Sequence, residues 1–267
     1  MIKDYYTTWK GEEGRLFETP RGILERLRTE SILRRFAPKP PAVVYDVGGG
    51  AGVYAFPLAQ QGYTVHLIDF TPLHIAQAKK KMEETGIKLA ECSVGDARNI
   101  QADDGIADVV LFFGPLYHLQ DKKDREKALS EAHRILKPGG MFFAAAVSSF
   151  ASYVKFGAEG LLDEPYIASV VERDIKTGKH TNPKNDPRCF TDAYFHSPDE
   201  LEEEVRDAKF KEVTLFNIQG PASRTEFLEE IVNNEQKLQN FLYFLEMIEH
   251  ERSIMGATSH MVVMGKK

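Results

Sequence analysis

AVVYDVGGGAG, residues 42–52, is an apolar run that ends in an acid and passes into alternating glycines. Its Val43, Val44, Tyr45 and Val47 are strand-favouring residues without polar interruption until Asp46, which reads as a strand buried on both faces. Gly48, Gly49, Gly50 and Gly52 let the chain turn tightly and leave no Cβ between a ligand and the main chain. VYAFPLAQQG (53–62) follows as a helix closed by a glycine, so its first N–H groups point into the same space. Strand, glycine turn and helix in this order open a doubly wound parallel sheet and put the ligand at the strand's carboxyl end.

Working outward, short apolar runs alternate with amphipathic stretches, the pattern of βαβ units. Further strands are expected at 65–69, 88–96, 107–114, 141–147, 212–219 and 260–265. A helix at 72–86 starts on Pro72 and stops on Gly86. Another, within 121–140, puts Ala128, Leu129, Ala132, Ile135 and Leu136 on one face and ends at KPGG. The fold class expected is α/β: a Rossmann-like, mostly parallel seven-stranded sheet with helices on both faces, an N-terminal helical lid and an insertion after strand 5. Within a single domain this divides into a lid (1–41), a cofactor-binding core (42–147), a cap over the substrate (148–197) and a C-terminal part of the sheet (198–267). Residues 148–197 show no clear period, 222–252 reads as one long helix with an apolar stripe, and Ser197 with Glu200 reads as a capping box.

Bulk properties exclude several classes. With 42% hydrophobic and 28% charged residues the chain has ordinary soluble usage, and its apolar runs are far shorter than a membrane span. The N-terminus lacks the apolar stretch of a secretory signal, and Cys92 and Cys189 are the only cysteines, so a reducing cytoplasm is the expected setting. A net charge of −6 and no basic stripe speak against a nucleic-acid partner. Arg21, Arg26, Arg28, Arg34 and Arg35 interleave with Glu25 and Glu30, which reads as a solvated helix face.

The spacing of the glycine turn separates two cofactor classes. A dinucleotide fingerprint G-x-G-x-x-G counted from Gly48 would need a third glycine where Val53 stands. An acid at Asp46 would repel a pyrophosphate but suits a cofactor with an amino group and no phosphate. Asp69 ends the second strand, where a carboxylate accepts from both ribose hydroxyls in either class.

With DVGGGAG (46–52), Asp69, VGDA (94–97), GPLYHL (114–119) and RILKPGG (134–140) in this order, the chain resembles the class I S-adenosylmethionine-dependent methyltransferases of the small-molecule type over about residues 42–147. The resemblance implies S-adenosylmethionine as cofactor, with Gly48, Gly49, Gly50 and Gly52 at its methionine end and Asp46 beside the ammonium. It implies Asp69 and Phe70 at the ribose, Asp96 and Ala97 at the adenine, and Phe113 and Gly114 as backbone contacts. The implied reaction is methyl transfer to an O, N or C nucleophile of a small acceptor, leaving S-adenosylhomocysteine. Where nucleic-acid amino methyltransferases carry Asn/Asp-Pro-Pro-aromatic, this chain has GPLY (114–117).

His118 is the candidate catalytic base, because it follows the fourth strand and imidazole titrates near neutrality; it equally suits a group that lines the pocket without moving a proton. Tyr117 stands under the same two readings. Tyr5, Tyr6 and Trp9 either close over the site or pack on the domain. The aromatics of the insertion, among them Tyr153, Phe156, Phe190 and Phe195, suit a small organic acceptor. His180, Cys189, Asp192 and His196 lack metal-ligand spacing, and no metal is expected. The competing readings are an NAD-dependent oxidoreductase and a non-catalytic protein that binds S-adenosylmethionine.

Overall fold

Period-2 alternation along the central strands sends neighbouring side chains to opposite faces, and this builds two cores around one sheet. The computed structural model describes residues 12–267. β1 (Val43–Val47), β2 (Thr64–Asp69), β3 (Glu91–Val94), β4 (Ala107–Phe112) and β5 (Leu136–Ser148) run parallel in the order β3-β2-β1-β4-β5. β9 (His260–Lys266) adds antiparallel to β5, and β8 (Lys211–Asn217) pairs antiparallel with β9. Those strands are the seven expected, but the sheet has nine, two more continuing beyond β5.

The helices follow from what covers each face. Tyr45, Val110, Phe112 and Phe142 point to one side and pack with Ala128, Leu129 and Ala132 of α6 (Lys122–Ile135) and Leu201 and Val205 of α9 (Pro198–Asp207). Val44, Val109, Leu111 and Phe143 point to the other. There they meet Ile32 of α2 (Pro20–Phe36), Phe56 of α3 (Ala55–Gln60) and Ile75 of α4 (Pro72–Thr85). α4 starts on Pro72 and closes on Gly86 in the left-handed region, as its sequence predicts. A short helix α1 (Glu12–Glu18) precedes α2, and α5 (Pro115–His118) follows β4 directly.

Four features differ from their sequence reading. Residues 148–197 are not aperiodic: they hold α7 (Ala151–Ala158), α8 (Pro165–Thr177) and the hairpin of β6 (Lys179–His180) with β7 (Ala193–His196). β7 continues beside the end of β5, Val147 opposite Phe195. Phe156, Ile167, Val170, Val171 and Cys189 make a small apolar cluster there. The expected helix over 222–252 is broken into a 3-10 turn (Pro221–Arg224), α10 (Leu228–Val232), α11 (Glu235–Met247) and a second 3-10 turn (Arg252–Ile254). Asn234 explains the central break, since its side chain accepts from the Lys237 N–H and caps a new helix. Arg28 is not solvated: it is 1% exposed and ion-paired with Glu249, whose carboxylate also takes both Nη atoms of Arg35 at 2.7 Å. Ser197 caps α9 as predicted, but Glu200 does not reach back to complete the box; it accepts from the Tyr194 hydroxyl at 2.5 Å.

Candidate active site

The carboxyl ends of the parallel strands open into a cleft of about 550 Å³. Strand order sets its layout. Asp96 and Ala97 follow β3, Asp69 and Phe70 end β2, Gly48, Gly49 and Gly50 follow β1, and Phe113, Gly114, Tyr117 and His118 follow β4; all of them line this cleft. Beyond β5 the wall continues with His260 and Val262 of β9 and Ile218 after β8, and α1 and α2 add Arg15, Glu25 and Thr29. One row of loops therefore gathers residues spread over some seventy positions of sequence, as parallel crossover connections dictate.

Asp69 organises the row. Its carboxylate accepts from the Gly50 N–H at 2.9 Å and the Thr71 N–H at 2.8 Å, and lies 3.0 Å from His74 Nδ1. Gly50 has φ +58°, and a Cβ built on it would project into open space, its nearest neighbour being His74 Nδ1 at 3.9 Å. The glycine there keeps the cleft floor clear as well as permitting the turn. Gly52 and Asp46 are placed otherwise than the resemblance implies, for neither lines the cleft. A Cβ on Gly52 would strike the Phe56 ring at 2.7 Å, so this glycine serves the packing of α3 on the sheet. Asp46 is fully buried behind Gly49, and among the described residues its carboxylate has no partner at full hydrogen-bond geometry, the Ala55 N–H being only a weak one. Burial, and then the charge of Asp69, push Asp46 up to about 7; the Ala55 N–H offsets only part of this.

Because the fold raises this acid above its usual range, its protonated form is favoured, and the associated stability is complete below pH about 4 and lost as pH rises through about 7. Asp46→Asn is therefore expected to raise the melting temperature of the ligand-free protein at pH 8 by several degrees and at pH 5 by less than half as much. Equal shifts at both values in a melting series would refute the buried-charge account.

Asp96 lies where adenine is expected, but it is already engaged. Arg98 donates to it from Nη2 at 2.6 Å and from its own N–H at 2.9 Å, while Arg98 Nη1 reaches Asp124 at 2.8 Å. The guanidinium holds the Asp96 carboxyl below its ordinary range. At the other side of the cleft, Glu25 takes two hydrogen bonds from Arg15 at 2.8 and 3.1 Å and lies 3.3 Å from His260. Burial pushes Glu25 up, yet Arg15 and His260 outweigh it and leave its carboxyl lowered. Across the lining, five carboxylates (Glu25, Asp69, Asp96, Asp121, Asp124) stand against two guanidinium groups (Arg15, Arg98), a balance hostile to a pyrophosphate.

Tyr117 donates to the Phe113 carbonyl at 2.8 Å, and its ring lies 4.6 Å from that of His118 and 6.2 Å from Phe190 of the insertion. His118 stacks on Phe190 at 5.9 Å. Burial lowers His118 to about 4, with Asp69 pulling upward and His74 adding to the depression. A second chamber of about 300 Å³ lies under 148–197 and shares Arg15, Tyr117 and His260 with the cleft.

Sequence reading missed His74, Tyr54, Arg98, Glu25 and His260 as lining groups. Arg98 had a signal, being two residues from Asp96, and His74 sits in the first turn of the helix after β2. Glu25 and His260 had none, since tertiary packing alone brings them together. Tyr5, Tyr6 and Trp9 lie outside the described residues. His180 and His196 have carboxylate partners, Asp174 at 2.8 Å and Glu204 at 3.3 Å.

Residues 44–140 match the family described as methyltransferase domain. A ubiquinone/menaquinone biosynthesis C-methyltransferase of Zymomonas mobilis is 31% identical over 128 residues, 48% of this chain and 51% of that protein. The chain spans about half the length of the curated relatives it matches. An S-adenosylmethionine-dependent methyltransferase of Methanosarcina mazei superposes with a TM-score of 0.59 at 16% identity, covering 88% of this chain and 96% of that one. A Haemonchus contortus phosphoethanolamine N-methyltransferase, solved with S-adenosyl-L-methionine, gives 0.61 at 16% identity over 100% of this chain and 60% of that one. The glycine turn, the strand-end acids and the sheet order thus agree with these likenesses, and residues 44–140 carry the methyltransferase-domain pattern on a fold shared with S-adenosylmethionine-dependent methyltransferases.

Proposed function

We propose that the protein transfers a methyl group from S-adenosylmethionine to a small-molecule acceptor and releases S-adenosylhomocysteine. The observation that carries this reading is the single acidic cleft in which the glycine turn, Asp69, Asp96 and the Phe113–His118 segment stand side by side. Bound there, S-adenosylmethionine supplies a methyl group already activated on a sulfonium. What the chain must do is hold, orient and exclude water.

In this reading Gly48, Gly49 and Gly50 present the backbone, Asp69 accepts the ribose hydroxyls, and Asp96 with Ala97 borders the adenine. Phe70, 44% exposed, covers the ribose side, and Phe113 and Gly114 offer main-chain contacts. Asp46 acts from behind the turn, where a cationic group bound at Gly48–Gly50 would draw its buried carboxyl into the ionised form. Residues 148–197 roof the acceptor chamber, and the N-terminal helices close its side. Cys92 and Cys189 are free thiols, which fits a cytoplasmic setting, and no helix among the described residues is long and apolar enough to cross a membrane.

Calorimetry decides the cofactor class: S-adenosylhomocysteine should bind in the micromolar range and NAD should not. Tighter binding of NAD would overturn the reading in favour of an oxidoreductase. Methyl transfer to any acceptor in a panel of small hydroxyl, amine and carbon nucleophiles separates an enzyme from a non-catalytic binder.

The lowered basicity of His118 decides its role within the reading. At neutral pH it is an uncharged imidazole, and a neighbouring sulfonium would depress it further, so it accepts a hydrogen bond rather than removing a proton. His118→Gln is expected to keep kcat/KM within about tenfold of the parent, with no change in the pH profile between about pH 5.5 and 8.5. An acid limb near neutrality that disappears in the variant would restore the general-base role.

A further inference from the structure

The chamber beneath 148–197 carries a charge imbalance that methyl transfer alone does not explain. Four cationic side chains line it, Arg15, Lys155, Arg188 and Arg224, and no carboxylate does. Two of the four have their charges met: Arg15 pairs with Glu25, and Arg188 with Glu164 and Asp186. Lys155 and Arg224 make no ion pair among the described residues. Lys155 Nζ donates to the Arg188 carbonyl, and Arg224 Nη2 donates to Ser259 Oγ at 3.0 Å. The Arg224 Nε is buried without a hydrogen-bond partner.

The Arg224 charge is felt at Lys155, and that of Arg21 at both. Burial lowers the Lys155 ammonium, and the charges of Arg224 and Arg21 add to the effect, while Glu159 opposes it. Arg224 is lowered to about 10, by burial first and then by Arg21, again against Glu159. Holding two half-buried like charges together costs stability, and an anion between them would remove that cost. Phe156, Phe190 and Phe195 give the chamber apolar walls, with Ser152, His180 and Ser259 between them. Tyr117 and His260 belong to both chamber and cleft, so a molecule lying in the chamber reaches the cofactor past them.

We infer that the methyl acceptor is a small acid with an apolar body, its carboxylate or phosphate held between Lys155 and Arg224 and its nucleophilic atom directed past Tyr117 into the cleft. This rests on the methyl-transfer reading, which supplies the direction of the nucleophile but not the anion site. Lys155 and Arg224 then set specificity, and the five carboxylates of the cleft itself keep the anionic end out of the cofactor position.

Ligand-observed NMR on the full chain saturated with S-adenosylhomocysteine tests this with three probes of one size: benzoate, phenyl phosphate and the neutral benzamide. At least one acid should bind at least about tenfold more tightly than benzamide, and added salt should weaken it. Which acid wins tells a carboxylate acceptor from a phosphate ester. Arg224→Gln and, separately, Lys155→Gln should each remove that preference while changing S-adenosylhomocysteine affinity less than twofold by calorimetry. Benzamide binding as well as the acids, no acid binding up to about 10 mM, or a preference retained in both variants overturns the acid site. Failure of the wild-type protein to bind S-adenosylhomocysteine would instead remove the methyl-transfer reading, and the acid preference, measured without it, would still stand or fall alone.

Discussion

Replacing Asp69 with alanine is expected to weaken S-adenosylhomocysteine binding by about a hundredfold or more. Three groups converge on that carboxylate in the protein itself: the N–H of Gly50, the N–H of Thr71 and the imidazole of His74. Losing it strips a charged acceptor from the ribose position and at the same time frees the glycine turn from the end of β2. A hydrogen bond to a charged group contributes about 1.5–3 kcal/mol, so two lost contacts alone exceed a hundredfold. Asp69→Asn should fall between the wild type and the alanine variant, because the amide keeps one acceptor oxygen but turns an NH2 toward a donor. Calorimetric titration of both variants, with melting curves to show that they are folded, makes the comparison. A loss below fivefold for Asp69→Ala would mean that this carboxylate does not meet the ligand and only braces the loop.

The same residue shows why the cofactor half of the molecule can be read in one dimension. In a parallel sheet each strand delivers its last residue to one edge, so an acid or glycine at the end of an apolar run is assigned a place once the run is recognised. Asp69, Asp96 and Gly48–Gly50 were legible on that basis. Direction of the side chain was not: Asp46 and Gly52 sit within the same turn yet face the core, because alternation along β1 and the approach of Phe56 decide the matter. In the insertion, Ile167, Val170 and Val171 have helical spacing, but the next position on that face is Asp174, which breaks the apolar pattern. It is buried because Ser152 and His180 supply hydrogen bonds from elsewhere in the chain. Arg28 misleads in the same way, its counter-charge Glu249 lying 221 positions away. Along α11 the apolar stripe is real, yet Tyr243, Phe244 and Met247 are exposed, and only Leu245 is buried. Periodicity identifies a face but says nothing of what covers it.

The second large effect concerns a charge pair that holds the cleft from behind. Arg125 of α6 is 1% exposed and donates from Nη2 and Nε to Glu204 of α9 at 2.6 and 2.9 Å. Its Nη1 donates to the carbonyls of Leu119 and Gln120, both at 3.0 Å, in the loop that leaves α5 and lines the cleft. Its guanidinium also lies 3.7 Å from the Tyr194 ring centroid. Arg125→Met is expected to destabilise the fold by about 3–5 kcal/mol, since it leaves the Glu204 carboxylate buried against His196 alone, and to weaken S-adenosylhomocysteine binding as the loop loses its two donors. The acid side of the stability profile checks the same pair. Burial pushes Glu204 upward, but hydrogen bonds from His196 and Arg125 outweigh it and bring its carboxyl to about 2, below its ordinary 4.5. A depressed acid contributes its stability in full above the unfolded value, and that contribution, about 3 kcal/mol here, is lost as pH falls from about 4.5 through 2. Glu204→Gln should therefore flatten the fall in unfolding free energy between pH 5 and 2. Adding it to Arg125→Met should recover part of the stability lost, because the orphaned charge is gone. If the double variant is as unstable as the sum of the two singles, Arg125 acts through the Leu119 and Gln120 carbonyls and the Tyr194 ring, and Glu204 is no more than a neighbour.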